Sequence, residues 1–395
     1  MNLQQYKFVV ATGCSYGTTL SSLDCSFLNV NLESNDKIIF LEVSCASQGS
    51  DWMYDSMVYT IKKLLEMGIN TENIYCFAEW TQIERVTLNQ PTILNDFFNT
   101  NINSNRVFHI TSNVNCETTK NYLYENINIK GLNGFHNVKS IEGIWYLTPS
   151  HIDKNDILKF KNIDFEFMFE QMLEYEIRVP MELRVKKYLD NIVNLQTYLK
   201  ELGIRYNFVS MQSQFSAWDM DLECNLRHKY IFRENKPAIQ DGEKLIINSK
   251  FKSNMNISNS NDLDYLLPQF KHIINQIDFS NWWFHKSDFF RYGGIDEYAI
   301  EEYGLYGYLT TEYDIRHETT INIQEINPSF GYHPNAFIHI LLMNDMMFNN
   351  PFFKINDVSI ETIKNMVDED INSKNITKHN LAISKSALNK YITLI

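Results

Sequence analysis

The sequence predicts an α/β fold in which parallel strands alternate with helices. Two observations lead to this prediction. A strand–turn–helix–strand order runs through residues 7–80, and a long amphipathic helix at 183–202 leads directly into another apolar strand. Because a helical crossover between two strands lets them pair in the same direction, both stretches predict parallel βαβ units. With 395 residues, 44% of them hydrophobic, the chain is long enough to bury a large core.

Four apolar runs predict the buried strands. Residues 7–12 (KFVVAT) and 38–45 (IIFLEVSC) are rich in β-branched or aromatic side chains and lack helical spacing. Residues 73–80 (NIYCFAEW) and 204–211 (IRYNFVSM) have the same character. Such short continuous runs are typical of strands covered by helices on both faces of a sheet.

Two longer segments predict helices. Residues 51–67 repeat apolar side chains at helical spacing, with Ser50 or Asp51 as the N-cap and Gly68 at the stop. Residues 183–202 carry one apolar stripe of Val, Leu and Ile. Each helix lies just before a predicted strand, as a crossover helix should.

The remaining segments predict two insertions and a tail. Residues 90–165 are polar and Asn-rich with short strands such as GIWYL at 143–147, and they are too long for a bare loop. Residues 212–330 form a second, aromatic-containing insertion. We therefore expect one domain over 1–350, interrupted twice, followed by a helical extension at 351–395.

Composition excludes several classes of function. The net charge of −13 does not suit a phosphate-tracking surface, so we expect no nucleic-acid partner. Apolar runs are all shorter than the roughly 18 residues of a membrane span, and the N-terminus has no signal-peptide pattern. Six cysteines form no CxxC pair, which favours a reducing compartment over a disulfide framework. No motif for a metal, a dinucleotide or a nucleotide phosphate occurs, so we expect no cofactor.

Ser15 is the first candidate catalytic residue. It lies in ATGCSYGTTL (11–20), where the first predicted strand ends. A serine at a strand-to-helix turn has unpaired backbone N–H groups beside it, which suit a developing oxyanion. The alternative is that Ser15 only caps the following helix.

Three further stretches are expected at the same edge of the sheet, where the carboxyl ends of the strands meet. Gly49 follows the second strand and permits close backbone approach with a free N–H. The segment AEWTQIER (78–85) follows the third strand. His333, in YHPN, precedes a late apolar helix and is a candidate general base.

These four stretches, in this order, resemble the SGNH (GDSL-like) hydrolases, and more narrowly a divergent branch encoded by bacteriophages. The resemblance implies a three-layer α/β/α sandwich with a flavodoxin-like sheet and hydrolysis of an acyl ester. It implies Ser15 as nucleophile, His333 as base, and the N–H groups of Ser15 and Gly49 as oxyanion donors. The resemblance covers three parts of the chain, 6–86, 183–211 and 292–346.

The sequence departs from that family at two positions. The stretch AEWT lacks the Asn whose side chain is an oxyanion donor, and Thr81 or Gln82 is the replacement we consider. In that family, an Asp three residues before the histidine orients it as a base, and this sequence has Phe330 at that position. Glu325 or Asp296 is the alternative acid that we consider. Losing such an acid costs roughly 10⁴ in rate, and losing one oxyanion donor roughly 10²–10³.

The sequence therefore leads to two functional hypotheses. The first is a serine esterase acting on a lipid, an O-acylated carbohydrate or a small molecule, with Trp80, Thr81, Gln82 and Arg85 lining the substrate. The second is a catalytically impaired scaffold that serves as a phage structural or glycan-binding protein, with virion proteins as candidate partners. Either is expected in the cytoplasm of an infected cell or in the virion.

Overall fold

The computed structural model describes residues 2–14, 37–45, 48–83, 85–90, 102–103, 108–112, 114–132, 135–149, 163–211, 214–215, 267–286, 292–295, 298 and 342. Over these residues the fold is mixed α/β with a mostly parallel central sheet. The chain divides into two compact units. The first comprises Met1–Cys25, Asn35–Val209 and Phe270–Trp282, and the second Ser26–Ser34, Ser210–Gln269 and Trp283–Ile395.

The central sheet has six strands within the described residues, in the order β11-β10-β3-β1-β2-β6. Strand β1 pairs in parallel with β2 on one side and with β3 on the other, while β6 runs antiparallel to β2. The strands are β1 (Tyr6–Thr12), β2 (Lys37–Glu42), β3 (Ile74–Trp80), β6 (His109–Ser112), β10 (Arg205–Ser210) and β11 (Trp282–Trp283).

Strands β1, β2 and β3 are buried almost throughout. Every residue of β3 is buried, and only Lys7 in β1 and Lys37 in β2 are not. Continuous burial explains why these strands read as uninterrupted apolar runs rather than as alternating patterns. The four predicted strands and their approximate bounds are therefore confirmed.

Helices of very different length accompany the sheet. The two predicted helices are confirmed as α1 (Ser50–Glu66) and α4 (Met181–Glu201), and Gly68, just beyond α1, has a left-handed φ of 83°. The sequence did not predict a third long helix, α3 (Ile163–Arg178). The other helices are α2 (Glu117–Asn126), α3 (Ile163–Arg178) and α5 (Lys271–Ile274).

A second, antiparallel sheet occupies part of the first predicted insertion. Its order is β4-β9-β8-β7-β5, and a two-residue turn joins β8 to β9. Both turn residues, Glu142 and Gly143, have positive φ, as a type I′ hairpin requires. The predicted strand at 143–147 is thus confirmed. The strands are β4 (Leu88–Gln90), β5 (Ile102–Asn103), β7 (Ile129–Leu132), β8 (Phe135–Ile141) and β9 (Ile144–Leu147).

In the second unit, the described residues form a small aromatic cluster. His285 and Gly293 form an antiparallel β-bridge, and His285 is buried. The Phe284 ring contacts Tyr292 edge-on with centroids 5.1 Å apart. Most of the predicted second insertion and all of the extension at 351–395 lie outside the described residues, so the predicted domain limits stay predictions.

In the described part of the chain, no helix is both long and apolar enough to cross a membrane. The longest, α4, carries charged side chains along its length, including Lys186, Lys187 and Asp190. Its apolar side faces the core instead, with Val185 and Leu189 fully buried.

Candidate functional site

The carboxyl ends of β1, β2 and β3 meet at one edge of the central sheet. The register places Ala11 beside Glu42 and Thr12 beside Ala78, so the three strands end at nearly the same level. In open α/β sheets this edge is where ligands bind. Cys14 is the last described residue after β1, and both Ser15 and His333 lie outside the described residues.

Gly49 lies where the chain leaves β2 and enters α1. Its N–H donates to Oγ1 of Thr87 at 2.7 Å, so the amide that the sequence predicted to be free has an acceptor here. A Cβ at this position would lie 2.6 Å from the Arg85 carbonyl oxygen and 3.0 Å from Thr87 Oγ1. Because φ of Gly49 is an ordinary −90°, close approach and not backbone strain is what requires glycine.

Helix α1 begins differently from the prediction. Its N-cap is Gly49, and neither Ser50 nor Asp51 caps it with its side chain. The side-chain amide of Asn191 instead donates to Ser50 Oγ at 3.0 Å and to Asp51 Oδ1 at 2.9 Å. Lys187 adds an ion pair to Asp51 at 2.6 Å. The first turn of α1 is therefore held by α4 through long-range contacts.

The antiparallel sheet also holds this turn. Tyr146 of β9 accepts a hydrogen bond at its carbonyl from Gln48 Nε2 and donates its hydroxyl to Asp55 Oδ2 at 2.9 Å. The rings of Trp52 and Tyr146 meet edge-on with centroids 5.1 Å apart. Burial raises the pKa of Asp55 above its usual range, and the Tyr146 hydrogen bond opposes that shift.

Two buried charged residues lie at the end of β2. Lys139 of β8 is 7% exposed and donates to the Ser44 carbonyl, with its ammonium 5.9 Å from the centre of the Trp52 ring. Glu42 is 3% exposed and accepts the Ser44 N–H at 2.8 Å through Oε1. Its Oε2, like the Ser44 hydroxyl, has no hydrogen-bond partner among the described residues.

Cys45, next to this pair, is a protonated thiol at neutral pH. Burial raises its pKa to about 11; Lys139 opposes the shift, and Glu42 and Cys14 add to it. Because the thiolate is the nucleophilic form, Cys45 does not have the character of a reactive cysteine.

Trp80, expected to line the substrate, is fully buried in the core of the first unit. Its ring packs edge-on against Tyr188, at 5.8 Å between centroids, and against Phe208, at 5.6 Å. Its indole Nε1 is buried and has no acceptor in the described part of the chain. These contacts give Trp80 a packing role at the end of β3.

Thr81, Gln82 and Arg85 follow Trp80 as the chain leaves β3. Thr81 is fully buried, and its hydroxyl has no partner among the residues the structure describes. Gln82 Oε1 accepts a hydrogen bond from Arg85 Nε at 3.1 Å. Arg85 Nη1 is buried and finds no acceptor over the same residues. In this segment, the Thr81 hydroxyl and Arg85 Nη1 thus have no hydrogen-bond partner among the described residues.

The described residues include no group of three or more His, Cys, Asp and Glu side chains that could hold a metal ion. Comparisons with known protein families, with curated proteins and with solved structures found no match. The structure places the Arg85 carbonyl against Gly49, and the roles predicted for both residues stay predictions. It adds Thr87, Lys139 and Asn191, which no sequence pattern singled out.

Proposed function

We propose that the protein is a serine-dependent ester or acyl hydrolase of the SGNH type. The observation that supports the proposal is the strand order β6-β2-β1-β3-β10-β11, in which β2, β1 and β3 are parallel. Apart from the antiparallel edge strand β6, this order is compatible with the 2-1-3-4-5 order of flavodoxin-like sheets. In such sheets, ligands bind at the carboxyl ends of the first and third strands. Ser15 follows β1 by three residues in the sequence, which supports its assignment to that crevice.

The proposed chemistry has two steps. Ser15 Oγ attacks the acyl carbon while His333 takes its proton, and the alcohol leaves from the tetrahedral intermediate with that proton. Water then attacks the acyl-serine with His333 as the base, releasing the acid and restoring the serine. In both steps the oxyanion is held by the N–H groups of Ser15 and Gly49.

The role of Gly49 in this mechanism requires an exchange of hydrogen-bond partners. Its N–H donates to Thr87 Oγ1, so an oxyanion would have to replace that hydroxyl as acceptor. A charged oxyanion is a stronger acceptor than a neutral hydroxyl, which favours the exchange. The contacts of Asn191 with the first turn of α1 would keep the amide in place while the acceptor changes.

Thr81 is the residue we propose in place of the missing Asn donor. Its hydroxyl is fully buried, has no partner among the described residues and lies one residue beyond β3. A buried donor left without an acceptor costs about 1–3 kcal/mol, so a position kept in this state suits a group that acquires its acceptor with the ligand.

A second candidate function is a catalytically impaired SGNH-like scaffold that binds a glycan or a virion protein. Two observations favour it. The position of the orienting acid is Phe330, and the Gly49 N–H is already hydrogen-bonded to Thr87. In this role the aromatic residues of the second insertion, among them Trp283 and Phe284, would supply the stacking surface.

The test uses the full-length chain with 4-nitrophenyl acetate and a fluorophosphonate label. We expect hydrolysis and covalent labelling by the wild type, and a loss of about 10³-fold or more in Ser15→Ala. Ser280→Ala, which alters an exposed serine, is the matched control and should keep both activities. Equal hydrolysis by the wild type and Ser15→Ala, without labelling, would leave the scaffold function.

A further inference from the structure

Within the described residues, the Arg85 guanidinium has a hydrogen-bond partner at Nε and none at Nη1. Its Nε donates to Gln82 Oε1 at 3.1 Å, which fixes the plane of the group. Its Nη1 is buried but has no acceptor among the described residues. Nor does any carboxylate of the described residues lie within ion-pair distance of Arg85.

Two other arginines of the described chain show how such a group is ordinarily satisfied. Arg184 donates through Nε to the Val179 carbonyl and through Nη2 to the Glu176 carbonyl. Arg178 is exposed and pairs with Glu174 at 3.1 Å. A buried guanidinium N–H without an acceptor destabilises the folded protein. Arg85 therefore differs from Arg184, whose N–H groups at Nε and Nη2 have acceptors, and from Arg178, which is exposed.

Two other donors of the same segment also lack partners among the described residues. The Thr81 hydroxyl and the Trp80 Nε1–H belong to the same short segment, are fully buried, and have no partners among the described residues. The segment leaves the carboxyl end of β3, beside β1, and its Arg85 carbonyl lies against Gly49. A buried cationic donor without an acceptor among the described residues fits an oxygen of a carboxylate or phosphate group.

We propose that Arg85, oriented by Gln82, forms a subsite for a carboxylate or phosphate group, with Arg85 Nη1 as its donor. This inference deepens the proposed function, because it names a substrate class: an acyl ester that carries a second, anionic group. The Gln82 contact orients the guanidinium before the ligand arrives.

The experiment measures binding and requires no turnover. The full chain is titrated calorimetrically with inorganic phosphate, and in a separate arm with succinate, both at constant ionic strength set with KCl. We expect saturable binding of at least one anion by the wild type and about 10- to 100-fold weaker binding by Arg85→Met. Arg85→Lys, which keeps the charge but loses the planar fork, should show an intermediate affinity.

Arg178→Met is the matched control, because it removes an arginine whose partner is already present on an exposed helix. It should bind the anion as the wild type does. Thermal unfolding of each variant establishes that it is folded at the titration temperature. The arm that saturates distinguishes a phosphate-bearing from a carboxylate-bearing substrate.

Two results would overturn the subsite: no saturable binding of either anion by the wild type, or the same affinity in the wild type and in folded Arg85→Met. Neither depends on ester hydrolysis. A protein that has no esterase activity but binds phosphate through Arg85 would contradict the proposed function and support the subsite. A protein that is an active esterase but binds neither anion through Arg85 would support the proposed function and contradict the subsite.

Discussion

The Gly49 amide and the Thr87 hydroxyl are joined by a 2.7 Å hydrogen bond at the turn between β2 and α1. Both groups are buried, and Thr87 precedes β4 of the antiparallel sheet. The bond therefore ties the insertion to the edge of the central sheet where the parallel strands end. It also occupies the Gly49 N–H that the proposed mechanism requires for the oxyanion. The Thr87 hydroxyl would therefore stabilise the folded protein while competing with the oxyanion for this N–H.

Thr87→Val should separate the contribution of this hydroxyl to stability from its effect on activity. The substitution removes the acceptor of the Gly49 N–H and should lower the free energy of unfolding by about 1–3 kcal/mol, the cost of a buried donor without a partner. The same change releases the amide for an oxyanion, so kcat for a nitrophenyl ester should be maintained or raised. Chemical denaturation and steady-state kinetics on one preparation measure both quantities.

Thr87→Ser is the control for this prediction, since it keeps a hydroxyl at the same position while removing one methyl group. It should keep the wild-type kcat. A Thr87→Val protein that is fully folded at the assay temperature yet loses its activity would show that the hydroxyl, and not the amide, serves the reaction.

Asn191 should act as a positioning residue for the same turn. Asn191→Ala removes two hydrogen bonds, one of them to a carboxylate, and should cost roughly 2–3 kcal/mol of stability. Hydrogen exchange of a peptide covering residues 48–57 should become faster, because the first turn of α1 loses its contact with α4.

Lys187→Ala is the control. It removes only an ion pair whose lysine is 57% exposed, and should lower the free energy of unfolding by less than about 1 kcal/mol. Equal effects of the two variants would contradict the assignment.

Cys45 should contribute to loss of stability at high pH. Its pKa is raised from an ordinary value near 9 to about 11, chiefly by burial. The unfolded chain therefore releases this proton first, so stability falls as the pH rises from about 9 through 11, by up to about 1.4 kcal/mol per pH unit. Denaturation of Cys45→Ala should show a shallower slope over this window. The cavity left by the substitution affects all pH values alike, so an unchanged slope would refute the prediction.

The sequence predicted what depends on local periodicity. Strand β3 and helix α4 were recognised because burial of a strand and of one helix face leaves a regular apolar pattern. Lys139 was not recognised, because its contact with the Ser44 carbonyl joins positions 95 residues apart. The N-cap of α1 was predicted from Ser50 and Asp51, yet both side chains bond to Asn191, a contact no local rule contains.

Asp278 should support stability at neutral pH and lose that effect in acid. Hydrogen bonds from Lys200, at 2.6 Å, and from Ser280 lower its pKa to about 2. A depressed carboxyl pKa contributes stability above the unfolded value near 3.8, and that contribution disappears as the pH falls through about 2. Because the side chain is 28% exposed and water screens the pair, Asp278→Asn should cost only about 1 kcal/mol at pH 7 and nothing below pH 2.

Asp190→Asn, in an exposed pair with Lys186 on α4, should cost less than half as much at pH 7. Urea denaturation at pH 7 and at pH 1 distinguishes the two variants, and a loss for Asp278→Asn that persists at pH 1 would mean that packing, not charge, accounts for it.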